Sequence, residues 1–413
     1  MYQRPRMLLG AMFFLYAIST MALNDLMINT FNIGQTLLVI IMLAFIITIM
    51  SIGKIYIHMY FLFEFLFIIY CFFQILIIPD IHRATSFWGL LNLFVSFVCY
   101  ILIYNIVIHY SIYQTLFKNY LYGSAVCGII LLLNNINNLA DLHRVAFYFG
   151  TDRMVALTWF GLYMCIGYAL CLYLYLKNNT AALVTFSALF LLLVIISGTR
   201  KLLIFISIIT AFAIIARNPG KWMREIIPYG FIFLGLFIIL MNVPIFYDLF
   251  GRRFDVGIDV LFGRTNIQTD SSIVGRKLLF EQAVYYWSER PLFGQGIRAF
   301  ETHLNKIDYS HPHNNFIDIL CSTGIVGFII YYSRYVYLLW KTIGLYYRDK
   351  INNAETLFFA GLIVSILSIE WWQHIYNHRP FTIVFLFVVL YLQQAKSNHK
   401  QKGKGDESYV TKK

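Results

Sequence analysis

Residues 36–53 read TLLVIIMLAFIITIMSIG, an apolar stretch without a charged side chain. A helix needs roughly 20 such residues to cross the hydrocarbon core of a bilayer. The chain holds about 12 runs of this kind, separated by polar segments. They occupy residues 7–29, 36–53, 56–78, 87–113, 119–136, 155–176, 181–197, 202–216, 227–244, 316–340, 355–370 and 380–395. The pattern predicts an all-α polytopic membrane protein with about 12 transmembrane helices, in which the runs 355–370 and 380–395 form two spans or one re-entrant element.

Composition leads to the same class. Hydrophobic residues make up 60% of the 413 residues and charged residues 13%, whereas a soluble globular domain carries about 25% charged residues. A chain of soluble domains is therefore excluded. The six cysteines lie inside or at the edges of apolar runs without a C-x-x-C pair. They are predicted to be small buried hydrophobes rather than disulfides or metal ligands.

The distribution of positive charge predicts the orientation. Lys and Arg in short loops favour the cytoplasm, and placing both termini inside puts most of the basic residues of the short loops and of the C-terminal tail on that side. Nearly all of the net charge of +12 then lies on the cytoplasmic face, and the outer loops are close to neutral. The charge is thereby explained by topology, and nucleic acid is not an expected partner.

The same topology divides the chain into four parts. Residues 1–244 carry the first nine helices, residues 245–315 form one large outer loop with short helices, residues 316–395 carry the last three helices, and residues 396–413 are a basic cytoplasmic tail. Loops as long as 245–315 inside a compact protein tend to be functional. The chemistry is therefore expected on the outer face.

Two arginines of the outer face are candidates for binding an anion. Arg200 lies in Ser-Gly-Thr-Arg-Lys, a turn so tight that both flanking helices must end beside it. Arg276 lies near the start of a predicted amphipathic helix that includes residues 278–287. Taken alone, each has an ordinary alternative: Arg200 as a snorkelling residue at a helix end, and Arg276 as a solvated or ion-paired side chain.

His313 is the third candidate. It lies in His-Pro-His-Asn-Asn, directly before a span that contains Gly324 and Gly327. At about 100° per residue, a helix that begins near His313 brings both glycines close to one face, and small residues three apart allow a neighbouring helix to approach. The histidine at the outer end of such a face is a candidate general base. Its alternative is an interfacial histidine that caps the helix.

Two of the charged residues within predicted spans are candidates for a role there, Glu64 and Arg334. Glu64 lies deep in its run, and a carboxylate there is a functional candidate by default. It has two alternatives, a protonated side chain or one bonded to a neighbouring helix. Arg334 lies near the cytoplasmic end of its run and is interpreted as a snorkelling side chain.

These motifs resemble a family. His313-Asn314, nine residues and then Gly324-x-x-Gly327 match the H-[NSQ]-x9-G-x-x-G signature of bacterial O-antigen ligases and the related surface-polysaccharide polymerases. Pro291-x-x-Gly294-x-Gly296-x-x-x-Phe300 and the Gly275-Arg276 segment are similar to the large periplasmic loop of that family. Arg200 followed by Ile204 is similar to its R-x3-L motif, with Ile in place of Leu.

The resemblance implies a glycosyltransferase of the bacterial inner membrane that acts on the outer face without a metal ion or other cofactor. Its donor is an oligosaccharide linked to undecaprenyl diphosphate. Arg200 and Arg276 are expected to clamp the diphosphate and His313 to take the acceptor proton, with inversion at the anomeric carbon. Asn314, His311 and Arg298 are expected to contact substrate, although Asn314 also suits a helix cap.

Three functions remain open at this stage. The first is a polymerase that joins lipid-linked repeats of an O-antigen or capsule, because Ser-Gly-Thr-Arg-Lys looks more like polymerases than ligases. The second is an O-antigen ligase, which passes the glycan to a lipid A core. The third is a transporter of lipid-linked sugar. The expected partners are the donor, the glycan or lipid A core acceptor, the bilayer, a flippase and a chain-length regulator.

Overall fold

The computed structural model describes ten stretches of the chain and a few single positions between 220 and 247. The stretches are residues 3–23, 27–28, 31–134, 146–149, 152–199, 201–218, 271–303, 311–348, 353–376 and 378–410. Most of the predicted run 227–244, much of the outer loop and Arg200 lie outside the described residues.

Thirteen helices and two small hairpins are present in this part of the chain. The first eight helices are α1 (Gln3–Met21), α2 (Ile33–Ile52), α3 (Met59–Ile77), α4 (Asp80–Tyr110), α5 (Tyr113–Asn134), α6 (Leu157–Asn178), α7 (Ala181–Ile196) and α8 (Lys201–Arg217). The other five are α9 (Ser271–Glu289), α10 (Ala299–His303), α11 (Asn315–Arg348), α12 (Asn353–Glu370) and α13 (Arg379–Val410). The expectation of a helical fold is confirmed.

The hairpins were not predicted. Strand β1 (Met27–Ile28) pairs antiparallel with β2 (Phe31–Asn32), and β3 (Ala146–Phe149) pairs antiparallel with β4 (Asp152–Ala156). The register pairs Met27 with Asn32 and Ala146 with Ala156. Each hairpin connects two helices and adds no layer to the bundle.

Seven helices of the described chain are long and apolar enough to cross a membrane: α2, α3, α4, α5, α6, α11 and α13. The apolar segments Pro5–Met21 and Ala181–Ile196 are shorter. The chain is therefore a multi-pass membrane protein, and the count of 12 spans and their orientation stay predictions. All six cysteines are free and buried, as predicted.

Helix α13 is the centre of the bundle. Every residue from 380 to 392 is buried, which is the pattern of a helix that is apolar all round and surrounded by other helices. Helices α12 and α13 are separate and joined by residues 371–378, which include the buried His374. This connection brings α12, α13 and the start of α11 together.

Arg334 and Glu64, the two charged residues considered within the predicted spans, bind each other. The guanidinium of Arg334 on α11 forms an ion pair with Glu64 on α3 and lies 3.9 Å from the ring centroid of Tyr331. Only 4% of the Arg334 side chain is exposed. The interpretation of Arg334 as a snorkelling residue is therefore wrong, because its partner lies on another helix within the bundle. Of the two alternatives for Glu64, the structure has the side chain that is bonded to a neighbouring helix.

Helix α11 is broken at Gly324, where the backbone angles are φ 65° and ψ −172°. The expectation that Gly324 and Gly327 share a face of one continuous helix is wrong for this reason. Gly327 does lie at a close approach to another helix, since a Cβ atom there would be 2.7 Å from the ring of Tyr70 on α3.

The segment that follows α9 supplies the hydrogen bonds that the break removes. The N–H groups of Ile325 and Val326 donate to the carbonyls of Pro291 (2.9 Å) and Leu292 (3.2 Å). In return, Gln295 N–H donates to Cys321 O (2.9 Å) and Gly296 N–H to Ser322 O (2.8 Å). Backbone groups in a membrane protein must be paired internally, and these four bonds meet that requirement.

Two side chains of α3 complete the junction. The Tyr70 hydroxyl donates to Thr323 O (2.6 Å), and Gln74 Nε2 donates to Ser322 O (2.7 Å). Glycine is required on both sides, because a Cβ atom on Gly294 would lie 2.5 Å from Gly324 N. The P-x-x-G-x-G and G-x-x-G motifs therefore form one structural unit.

Replacing Gly324 by Ala is expected to lower the free energy of unfolding by at least about 2 kcal/mol. The backbone conformation is nearly exclusive to glycine, and a Cβ atom would overlap the Leu292 carbonyl. Thermal unfolding of the purified protein in detergent measures the loss. Gly344→Ala is the matched control on the same helix, because its Cβ meets nothing within 4 Å. It is expected to be neutral or stabilising, and equal losses in both variants would contradict the role of the break.

Candidate active site

Helix α9 brings Arg276 to the beginning of α11. The helix predicted over residues 278–287 is present as part of α9, and its Leu279 and Ala283 are buried against Ile317 and Cys321 of α11. Arg276 lies seven residues before Ala283 and so on the same side of α9. Its side chain is exposed, and its positive charge contributes to lowering the pKa values of His313 and Lys201. Arg276 and His313, two of the predicted catalytic residues, therefore lie in one electrostatic environment.

His313 is held in an uncommon backbone conformation. Its φ is 52°, and Arg298 has φ 61°, two of four non-glycine residues of the described chain with positive φ. Such positions cost free energy and cluster at functional sites. Asn314 follows as a cap, with its Oδ1 accepting the Ile317 N–H at 3.1 Å. Asn314 therefore caps the start of α11, which was one of the two roles considered for it.

Burial lowers the pKa of His313 to about 4, and the positive charges of Lys201 and Arg276 act in the same direction. An ordinary histidine has a pKa of about 6.5. His313 is consequently neutral at pH 7, which is the form in which an imidazole can accept a proton. A neutral imidazole beside two cations is the protonation state that a general base needs before reaction.

Lys201 is a cation that the sequence reasoning missed. It is the first residue of α8, directly after Arg200, and α7 ends at Ile196, so one helix ends and the next begins at the predicted turn. Its Nζ donates to Trp372 O (3.2 Å) and to Gln373 Oε1, both neutral groups. Burial, together with the Arg276 charge, lowers the pKa of Lys201 to about 7. The adjacent basic pair Arg200-Lys201 was the available signal.

Asn315 joins α11 to the connection between α12 and α13. Its Oδ1 accepts the N–H groups of Ile375 (3.0 Å) and Tyr376 (3.2 Å), and its Nδ2 donates to the Tyr331 and Tyr332 hydroxyls at 3.3 Å. The side chain is fully buried. Asn315 therefore fixes His374 relative to His313.

A buried cluster lies beside His313. His374 Nδ1 is 2.6 Å from Asp318 Oδ2, where the ring N–H donates to the carboxylate. His311 stacks on His374 with ring centroids 4.0 Å apart. Burial lowers the pKa of His374 to about 3, and the charges of Arg298 and Lys201 contribute. Both rings are therefore neutral near pH 7, because burial also lowers the pKa of His311 well below its usual value.

Arg298 and His311 have protein partners. The Arg298 guanidinium donates two hydrogen bonds of 2.7 Å to the two carboxylate oxygens of Glu301. His311 Nδ1 lies 3.6 Å from Glu301 Oε1. Both side chains were expected to contact substrate, and their geometry suits them at least as well to positioning the cluster.

Among the described residues, the side chains of this cluster are close enough together to bind a metal ion. One ligand atom each from His311, Asp318 and His374 lies within 4.8 Å of the others. Imidazole and carboxylate are ligands for zinc and related ions. The expectation of a metal-free site is thus open to a direct test with a chelator.

Residues 185–332 match the O-antigen ligase family model. The O-antigen ligase match extends from α7 through the tight turn, α9 and the His-Pro-His-Asn-Asn segment to both glycines of α11. The resemblance seen in the motifs is confirmed. No curated protein matches the chain. Members of this family are glycosyltransferase-like enzymes.

Protonation of the buried histidines predicts acid sensitivity. Their folded-state pKa values are depressed, so the unfolded chain binds more protons as the pH falls from about 6.5 toward 4, and the free energy of unfolding decreases over that window. His374→Gln is expected to unfold at a lower temperature than the wild type at pH 7. Its unfolding temperature is expected to fall less than that of the wild type between pH 7 and pH 4.5. Thermal unfolding at several pH values measures both effects. The exposed His109→Gln should keep the wild-type slope, and an unchanged slope in His374→Gln would contradict the assignment.

Proposed function

We propose that the chain is a surface-polysaccharide polymerase. It transfers glycan from an undecaprenyl-diphosphate-linked oligosaccharide to a hydroxyl of another lipid-linked repeat unit. The reaction takes place on the outer face of the bacterial inner membrane. The observation that carries the proposal is the neutral His313 under the combined influence of the Arg276 and Lys201 charges, within the part of the chain that matches the O-antigen ligase family.

His313 acts as the general base. The acceptor hydroxyl must lose a proton while its oxygen attacks the anomeric carbon. His313 is neutral at pH 7, and the Lys201 and Arg276 charges that help to keep it neutral also weaken it as a base until the negative charge of a bound diphosphate offsets them. General-base catalysis of this kind contributes typically about 10²- to 10⁴-fold in rate.

The cations stabilise the leaving group. As the glycosidic bond breaks, negative charge develops on the diphosphate, and fixed positive groups stabilise it most in a site with little water. Arg276 is exposed and available to phosphate oxygens in a bidentate fork. Lys201 contacts neutral oxygens. With a pKa of about 7 it is about half protonated at pH 7, and a diphosphate bound beside it would favour the charged form. We assign Arg200 to the same clamp because it directly precedes Lys201.

Inversion is the expected stereochemistry. The base and the cations act on opposite sides of the anomeric carbon when the acceptor attacks in line with the departing diphosphate. A single direct displacement then inverts the anomeric configuration, without a covalent glycosyl-enzyme intermediate. The cations also provide the charge that a metal ion provides in other diphosphate chemistry.

An O-antigen ligase is the second candidate, because the matching family model bears that description. A ligase uses the same donor and passes the glycan to a lipid A core. The polymerase is preferred on the Ser-Gly-Thr-Arg-Lys turn, which resembles polymerases. Both candidates require the same site chemistry, so the acceptor decides between them.

Purified protein supplied with a lipid-linked repeat unit is expected to produce a ladder of longer glycans without any lipid A core. Transfer only when lipid A core is present would identify a ligase instead. Movement of the donor across vesicles without elongation would identify a transporter. Activity is expected to survive EDTA. Loss that a divalent cation restores would assign a metal to His311, Asp318 and His374.

In the same assay, His313→Ala and Arg276→Ala are each expected to reduce kcat by about 10²-fold or more. Lys201→Met should have a similar effect. Lys277→Ala is the matched control for Arg276, because Lys277 is the adjacent exposed cation on α9 and pairs with Glu281 at 3.8 Å. It should retain near wild-type activity. Normal ladders from His313→Ala, with expression confirmed, would overturn the catalytic assignment.

A further inference from the structure

A cavity lies at the opposite end of α11 from His313. It lies between the segment before α3, the last turns of α11 and the exposed end of α13, and its volume is about 890 Å³. The residues that line it include His58, Trp340, Lys341, Gly344, Arg348 and Lys396. We call it the basic cavity. Arg348 ends α11, whereas His313 lies just before its start, so this cavity is separate from the candidate active site.

The charge in the basic cavity is of one sign. Among the described residues that line it, three are basic and none is acidic. Lys341 and Arg348 are seven residues apart on α11 and therefore share a face, two turns apart. Lys396 approaches from α13. Three cations from two helices meet in one concavity.

His58 shows how closely these charges approach one another. Burial lowers its pKa to about 4, and the positive charges of Lys396 and then Lys341 contribute. His58 Nδ1 also accepts the Tyr60 N–H at 3.2 Å, so the ring is neutral and adds no counter-charge. Like charges in a partly dehydrated space repel one another. An anion placed between the two lysines removes that repulsion.

The remaining walls are typical of a membrane headgroup region. Lys341 Nζ lies 4.5 Å from the Trp340 ring centroid, and Trp340 is 65% exposed. Trp and Tyr rings are enriched at the level of lipid headgroups. Ile57, Leu345 and Leu392 add apolar surface. A Cβ atom at Gly344 would meet nothing within 4 Å, so the cavity is open along the helix backbone there.

We propose that the basic cavity binds the phosphate headgroup of an anionic phospholipid, in the leaflet opposite the candidate active site. The charge distribution predicts that this leaflet is the cytoplasmic one. A free phosphate has the same charge chemistry, but it would leave most of the 890 Å³ and the apolar walls unused. The lipid phosphate occupies the space between Lys341, Arg348 and Lys396, and its acyl chains lie along the apolar walls.

The test is thermal unfolding of the full-length protein in an uncharged detergent. Dioctanoyl phosphatidylglycerol is expected to raise the unfolding temperature saturably, whereas dioctanoyl phosphatidylcholine and inorganic phosphate are not. The double variant Lys341→Gln/Lys396→Gln should raise the half-saturating concentration by about tenfold or more, because each cation near a lipid phosphate adds to affinity. Gly344→Leu keeps every charge and fills the open space, so it should also weaken the response.

The matched control is Lys118→Gln/Lys221→Gln, which removes two exposed basic residues outside the basic cavity. It should respond like the wild type. An equal response to inorganic phosphate would overturn the lipid assignment, and an equal response to phosphatidylcholine would overturn the role of charge. Equal weakening in the control pair would reduce the effect to general surface charge. If the double lysine variant does not fold, an undiminished response in Gly344→Leu still contradicts the proposal.

Discussion

The exchange of backbone hydrogen bonds between residues 291–296 and the break in α11 at Gly324 is the constraint on which the candidate site depends. A continuous helix would satisfy its own N–H and carbonyl groups and leave the loop unanchored. At the break, the carbonyls of Cys321 and Ser322 accept from the loop, and the N–H groups of Ile325 and Val326 donate to it. Because unpaired backbone groups are costly within a membrane, the loop and the helix fix one another.

This junction places chemistry from distant parts of the chain together. It holds the end of α9, so that Leu279 and Ala283 pack on the first half of α11 and Arg276 lies toward His313. Asn315 ties the same half-helix to the connection that carries His374. The result is a neutral histidine between cations, backed by a buried His–Asp pair. General-base glycosyl transfer to a hydroxyl, with a diphosphate leaving group, makes use of each of these properties.

Much of this was predictable from sequence, for identifiable reasons. Apolar runs predict helices because backbone groups in lipid must be paired internally, and the Ser-Gly-Thr-Arg-Lys segment predicted the end of one helix and the start of the next. The H-N-x9-G-x-x-G and P-x-x-G-x-G motifs predicted the resemblance to the O-antigen ligase family, whose model matches residues 185–332. Sequence periodicity did not reveal that Gly324 breaks the helix, because the break depends on hydrogen bonds to a segment some 30 residues earlier. The pairing of Arg334 with Glu64, and of His374 with Asp318, likewise depends on which helices become neighbours.

The decisive measurement is a structure of the protein with a bound undecaprenyl-diphosphate sugar. Diphosphate oxygens are expected within hydrogen-bond distance of Arg276 and Lys201, with His313 facing the anomeric carbon from the side opposite the diphosphate. A donor whose diphosphate lies away from both cations, or whose anomeric carbon is out of reach of an acceptor bound at His313, would contradict it.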